Sequence, residues 1–167
     1  LATIFRHELA HLLIYYRLNK NRVPVWFEEG MAVLFSGEFN FRRLEVMAQI
    51  GIFGEYIRFK DLDRDFPSQA REAKIAYLES EDLVSYLIEQ LGERDFARLL
   101  DQLAMGKDFY LALEEISGKN FSEWEENWFK RLRYKYGLLM VFTGSGGLWF
   151  LITILFLLAY FRKRKRA

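Results

Sequence analysis

Apolar side chains crowd the first eighteen positions, where Ile4, Phe5, Leu9, Leu12, Leu13, Ile14, Tyr15 and Tyr16 spread round most of a helix's circumference. This distribution predicts a helix that runs through the middle of a domain. The polar stretch Asn19-Lys20-Asn21-Arg22 and Pro24 predict a turn, and a second helix follows over 26–35, stopped by Ser36-Gly37. A third is expected over 41–50. Weak alternation in Tyr56-Ile57-Arg58-Phe59-Lys60 suggests a short strand. Beyond Pro67 the helical period returns: Leu83, Val84, Leu87, Ile88 and Leu91 recur at core-facing spacing, with Gly92 placed to end that helix. Phe96, Leu99, Leu100 and Leu103 repeat the pattern. Ser122 and Glu125 have capping-box spacing at the start of a helix whose stripe is Phe121, Trp124, Trp128 and Leu132.

The last part of the chain reads differently. Residues 138–161 hold no ionisable side chain apart from Tyr160, and 148–161 are almost wholly Leu, Ile, Phe and Trp. A spanning helix needs about 20 apolar residues, so this run predicts one, with contact to a lipid bilayer. Thr143-Gly144-Ser145-Gly146-Gly147 interrupts it, and the alternative is a core helix or an interfacial helix over 148–161. The Arg162-Lys163-Arg164-Lys165-Arg166 cluster that follows is the kind retained on the cytoplasmic side, although Lys119, Lys130, Arg131, Arg133 and Lys135 on the other flank equal it in number.

Composition narrows the classes. With 167 residues, 51% apolar and 17% aromatic, the chain has material for one packed domain. The absence of cysteine excludes disulfides, thiolate zinc ligands and a Cys nucleophile. Setting aside the five basic residues of the tail leaves 19 Lys and Arg against 23 Asp and Glu, so a nucleic-acid partner is not expected. The chain starts at Leu1 rather than Met, with dense chemistry six residues in, which suggests a fragment or processed product.

That chemistry is His7-Glu8-Leu9-Ala10-His11. Imidazoles four apart share a helical face with Cβ atoms about 5–6 Å apart, close enough for both to bind one Zn2+. Glu8 points to the side, where its carboxylate can reach a water on the metal as general base. These are the chain's 2 histidines, and two random positions fall four apart only about one per cent of the time. A catalytic zinc needs a third protein ligand. The metzincin extension would put Gly at position 14 and His at position 17, where this chain has Ile14 and Arg17. Trp26-Phe27-Glu28-Glu29-Gly30-Met31-Ala32 supplies two carboxylates on a helix folding back on the first, and one of them can face the zinc.

His7-Glu8-Leu9-Ala10-His11 followed, after 17 residues, by Glu29-Gly30-x-Ala32 with Trp26 three positions before Glu29 resembles the gluzincin clan, specifically the peptidase MA-like family and the aminopeptidase-N-type enzymes. In the latter the spacing is one residue longer. The resemblance implies a mostly α, zincin-like domain lacking its upstream β-sheet, a Zn2+ cofactor, and Glu29 as the third ligand. Glu28 then lies behind the ligands or at the surface. Tyr77-Leu78-Glu79-Ser80 is similar to the segment where such enzymes place a tyrosine that stabilises the transition state, although they often have Gly in place of Ser80. Tyr77 is implied in that role, with a purely structural tyrosine as the alternative. The aminopeptidase exopeptidase motif lies upstream of the zinc helix in that family, so aminopeptidase activity is not implied.

The expected organisation is a catalytic domain over 1–137, N-terminally incomplete, a transmembrane helix over 138–161 and a basic cytoplasmic tail over 162–167. The expected function is a single-pass, membrane-anchored zinc metallopeptidase, its catalytic domain extracytoplasmic, acting on peptide or protein substrates through a zinc-held water and Glu8. Two other readings stay open: a zinc-binding membrane protein without catalysis, and a membrane-anchored helical interaction module in which the motif is accidental.

Overall fold

The computed structural model describes residues 2–37, 46–51, 54, 56–143 and 152–156. Five α-helices and one 3-10 turn, with shorter helical stretches at 46–51 and 152–156, carry the described chain, and no strand occurs among the described residues. Helix α1 (Ala2–Arg17) returns into α2 (Val25–Ser36) through a tight turn in which Asn19 and Lys20 take positive φ, 52° and 65°. Asn and Asp tolerate that conformation better than most residues. Asn21 holds the turn down, its side-chain amide donating to the carbonyls of Leu103 and Ala104 at 3.1 and 2.9 Å.

Helix α2 is the centre of the molecule. Trp26 and Phe27 are fully buried, and the Trp26 ring meets Phe59, Phe109 and Phe121 at 5.1, 5.3 and 5.5 Å. Burying one such side chain stabilises a fold by about 1.5–3 kcal/mol, so this cluster fixes α2 and everything it carries. The Trp26 indole N–H also donates to the Tyr110 hydroxyl, which in turn donates to Asp63. The stretch 56–60, expected as a strand, is instead extended backbone leading into a 3-10 turn, Phe59–Leu62. Glu79 accepts the Ile57 N–H and Glu125 the Phe59 N–H, so two carboxylates take the place a neighbouring strand would fill.

Helix α3 (Ala70–Ala104) packs along α2 and kinks at Gly92, whose φ of 73° and ψ of 167° are not helical. The glycine thus ends one helical run, as its position predicts, and a second starts at once. Helix α4 (Phe109–Ser117) is capped by Asp108, which accepts the N–H groups of Tyr110 and Leu111. Helix α5 (Phe121–Thr143) buries Phe121, Trp124, Trp128, Leu132 and Tyr136, the expected stripe extended by one turn. Its cap is not the expected Ser122 and Glu125. Asn120 accepts the Glu123 N–H at 3.0 Å and donates back to the Glu123 carboxylate at 2.7 Å, a pair with the same spacing placed earlier along the chain.

The third expected helix is helical at 46–51, and its start at 41–45 lies outside the described residues. Most of the predicted spanning segment also lies outside them, namely 144–151 and 157–161. Among the described residues no helix is long and apolar enough to cross a membrane. A further expectation is overturned as well. Helix α1 does not run through the middle of the domain: it covers Ala10 and Ile14 and leaves Ile4, Phe5, Leu12, Leu13 and Tyr16 more than half exposed. It lies along α2 at the surface, because the core is already filled by α2, α3 and the aromatic side chains of α4 and α5.

Candidate metal centre

The face that α1 turns toward α2 carries His7 and His11, one helical turn apart. Helix α2 runs against it with Glu29 in reach of both. The His7 Nε2 and His11 Nε2 atoms lie 3.1 Å apart, and Glu29 Oε2 is 3.5 Å from the first and 3.4 Å from the second. These three atoms form a nearly equilateral triangle. Zinc–ligand distances of about 2.0–2.2 Å put the corners of a tetrahedral site about 3.3–3.6 Å apart, so the triangle has the size of one face of such a site. The donor set suits the ion chemically as well, two imidazoles and one carboxylate. Among the described residues, these three side chains form the group able to hold a metal.

The electrostatics agree. Glu29 Oε2 is buried and accepts no hydrogen bond, an arrangement that costs free energy unless a cation satisfies the oxygen. Burial pushes the Glu29 carboxyl above its ordinary range, against the opposing pull of His11 and His7. The neighbouring Glu28 turns elsewhere, as residues about 100° apart on a helix must. Its Oε1 lies 3.1 Å from His11 Nδ1, the ring nitrogen on the far side from the triangle.

Glu8 is exposed, one position round the helix from His7, with no hydrogen bond to any described residue. Tyr77, on α3, is half-buried: its ring packs edge-on against Phe66 at 4.8 Å and lies 6.5 Å from the His7 ring. Burial, aided by the Glu29 charge, holds the Tyr77 hydroxyl above its ordinary pKa of 10, and so protonated at neutral pH. The structure therefore gathers His7, His11, Glu29 and Tyr77 around one point, with Glu8 on the open side of α1.

A sequence model of the Peptidase MA superfamily matches residues 2–133. The chain belongs to this superfamily. The peptidase MA match takes in α1, α2, α3 and α4 and the buried stripe of α5 as far as Leu132, so every candidate site residue falls inside it. The coarse class that comes with membership of the peptidase MA superfamily is a peptidase-type hydrolase. No curated protein and no solved structure matches the chain.

Two features of this peptidase MA site escape the sequence. Gly30, beside Glu29, suggests close approach of α2 to the zinc helix. It serves a different contact: a Cβ there would stand 2.5 Å from the Ser80 carbonyl oxygen and 2.8 Å from Val84, so the glycine lets α2 lie against α3. The polar run Glu79-Ser80-Glu81-Asp82 is the second, buried throughout where an apolar stripe would be expected. Its partners are spread along the chain, with Asp82 accepting from the Trp128 indole and Glu79 from the Ile57 backbone.

Proposed function

We propose that this chain is a membrane-anchored zinc metallopeptidase that cleaves peptide bonds by water attack, with Glu8 as general base. The observation that carries the reading is the triangle of His7 Nε2, His11 Nε2 and Glu29 Oε2, sized for a tetrahedral ion and holding a buried carboxylate oxygen with no well-formed hydrogen bond among the described residues. His7, His11 and Glu29 would hold the ion. Zn2+ bound there supplies a Lewis acid that acidifies water to a pKa of about 7.

The chain's own residues divide the remaining work. The Glu8 carboxylate takes one proton from the attacking water as its oxygen bonds the substrate carbonyl carbon, and later delivers that proton to the departing amine nitrogen as the C–N bond breaks. No covalent bond to the enzyme forms. Tyr77, kept protonated by its surroundings, donates its O–H to the substrate oxygen as negative charge develops on it. Its half-buried position suits this, since a donor shielded from water stabilises charge more strongly.

Residues 138–161 serve in this reading as the anchor and 162–167 as a cytoplasmic tail, placing the catalytic domain outside the cytoplasm. The test combines two measurements on the whole chain in detergent: zinc content after purification without chelator, and hydrolysis of a mixed peptide library. One zinc per chain with chelator-sensitive cleavage is expected. Stoichiometric zinc without cleavage would leave a binding protein, and no zinc at all would end the metallopeptidase reading.

A further inference from the structure

We propose that Glu28 is a positioning residue for His11: its carboxylate fixes the imidazole tautomer that presents Nε2 to the metal. The inference rests on the metal reading of the site. It starts from hydrogen-bond inventory. A neutral imidazole carries one N–H, on Nδ1 or Nε2, and binds a metal through the other nitrogen. An ionised carboxylate can only accept. Glu28 Oε1 stands 3.1 Å from His11 Nδ1, so the bond forms only if Nδ1 carries the hydrogen, which leaves the Nε2 lone pair directed at His7 Nε2 and Glu29 Oε2.

The arrangement belongs to His11 alone. Among the described residues the His7 ring contacts His11, Glu29 and Tyr77, and no carboxylate bonds its Nδ1. The His11 tautomer is thus set before the metal arrives, and no described carboxylate does the same at the Nδ1 of His7. The adjacent pair Glu28-Glu29 works as a unit, since the turn of about 100° between neighbours lets one carboxylate reach the inner nitrogens and the other the outer nitrogen of a ring beside α2. Glu28 is partly exposed, so its charge is screened by water and its principal contribution is orientation. Partners of this kind are worth about 10–100-fold in metal affinity.

The test reads the tautomer directly. The chain's 2 histidines make 15N-histidine labelling clean, and long-range 1H–15N spectra of the metal-free protein, above the imidazole titration range, distinguish Nδ1–H from Nε2–H rings. Wild type should show His11 in the Nδ1–H form. Glu28→Ala should lose that preference and bind zinc about 10–100-fold more weakly. Glu28→Gln, whose amide oxygen still accepts, should keep the tautomer and recover most of the affinity. A wild-type His11 in the Nε2–H form, or a Glu28→Ala spectrum unchanged from wild type, would overturn the proposal. Failure of the wild type to take up zinc is a separate result that strikes the proposed function, because the tautomer is read without metal.

Discussion

Glu8 on α1 and Tyr77 on α3 stand in different environments, which call for different tests. Glu8 is exposed and touches none of the three metal donors, so Glu8→Gln should keep the zinc and lose turnover by about 10²–10⁴-fold. His7→Ala, His11→Ala and Glu29→Ala should each release metal, measured by equilibrium zinc titration. If Glu8→Gln released zinc as completely as His11→Ala, the general-base assignment would be wrong. Tyr77→Phe keeps the edge-on contact with Phe66 and removes only the hydroxyl. A fall in kcat of about 10²–10³-fold with zinc content unchanged is expected, the loss seen when one donor to a developing oxyanion is removed. Loss of zinc in that variant would instead make Tyr77 a support for the His7 ring.

Helices α1, α2 and α3 set these residues at their distances, and Gly30 leaves no room for a side chain between α2 and α3. Gly30→Ala would drive a methyl into the Ser80 carbonyl and Val84, so it should cost about 1–3 kcal/mol in chemical denaturation and, by shifting α2, weaken zinc binding as well. The core stripes of α3 and α5, the end of a helical run at Gly92 and the shared face of His7 and His11 were legible because each follows a local period or spacing, and Glu29 beside them was implied by the family resemblance. The contacts of Gly30, the cap at Asn120 and the burial of Glu79 were not, since each depends on what a distant element brings. Glu79 shows the point most clearly. Nothing local marks a carboxylate beside the Leu83 stripe for burial, yet Glu79 is fully buried and accepts the Ile57 N–H from a distant stretch of chain. Burial there pushes its carboxyl to about 8 from an ordinary 4.5. The folded chain then holds a proton that the unfolded chain has lost across this window, so its contribution to stability is full below 4.5 and disappears as the pH rises through about 8. Thermal midpoints of the wild type should fall over that range. Glu79→Gln, which keeps an acceptor for the Ile57 N–H and cannot ionise, should flatten the slope.

Across the whole molecule, the described buried stripe of α5, Phe121 to Tyr136, lies ahead of the apolar run. Deleting 138–167 should therefore leave the helical domain folded by circular dichroism and move it from the membrane fraction to the supernatant. Protease added outside intact cells should digest the domain of the full chain, and protection of the domain while the tail was cut would reverse the proposed topology. The open side of α1 has a further effect, on handling rather than catalysis. Phe5 is 68% exposed and Tyr16 70%, with Leu9, Leu12 and Leu13 between them on the same helix. Water meets an oily ridge there, and even the truncated protein should bind a fluorescent hydrophobic dye while natively folded and scatter more light as its concentration is raised. Phe5→Gln with Leu12→Gln should quench the dye signal and clear the solution without lowering the melting temperature, since neither side chain belongs to the core or packs against it among the described residues.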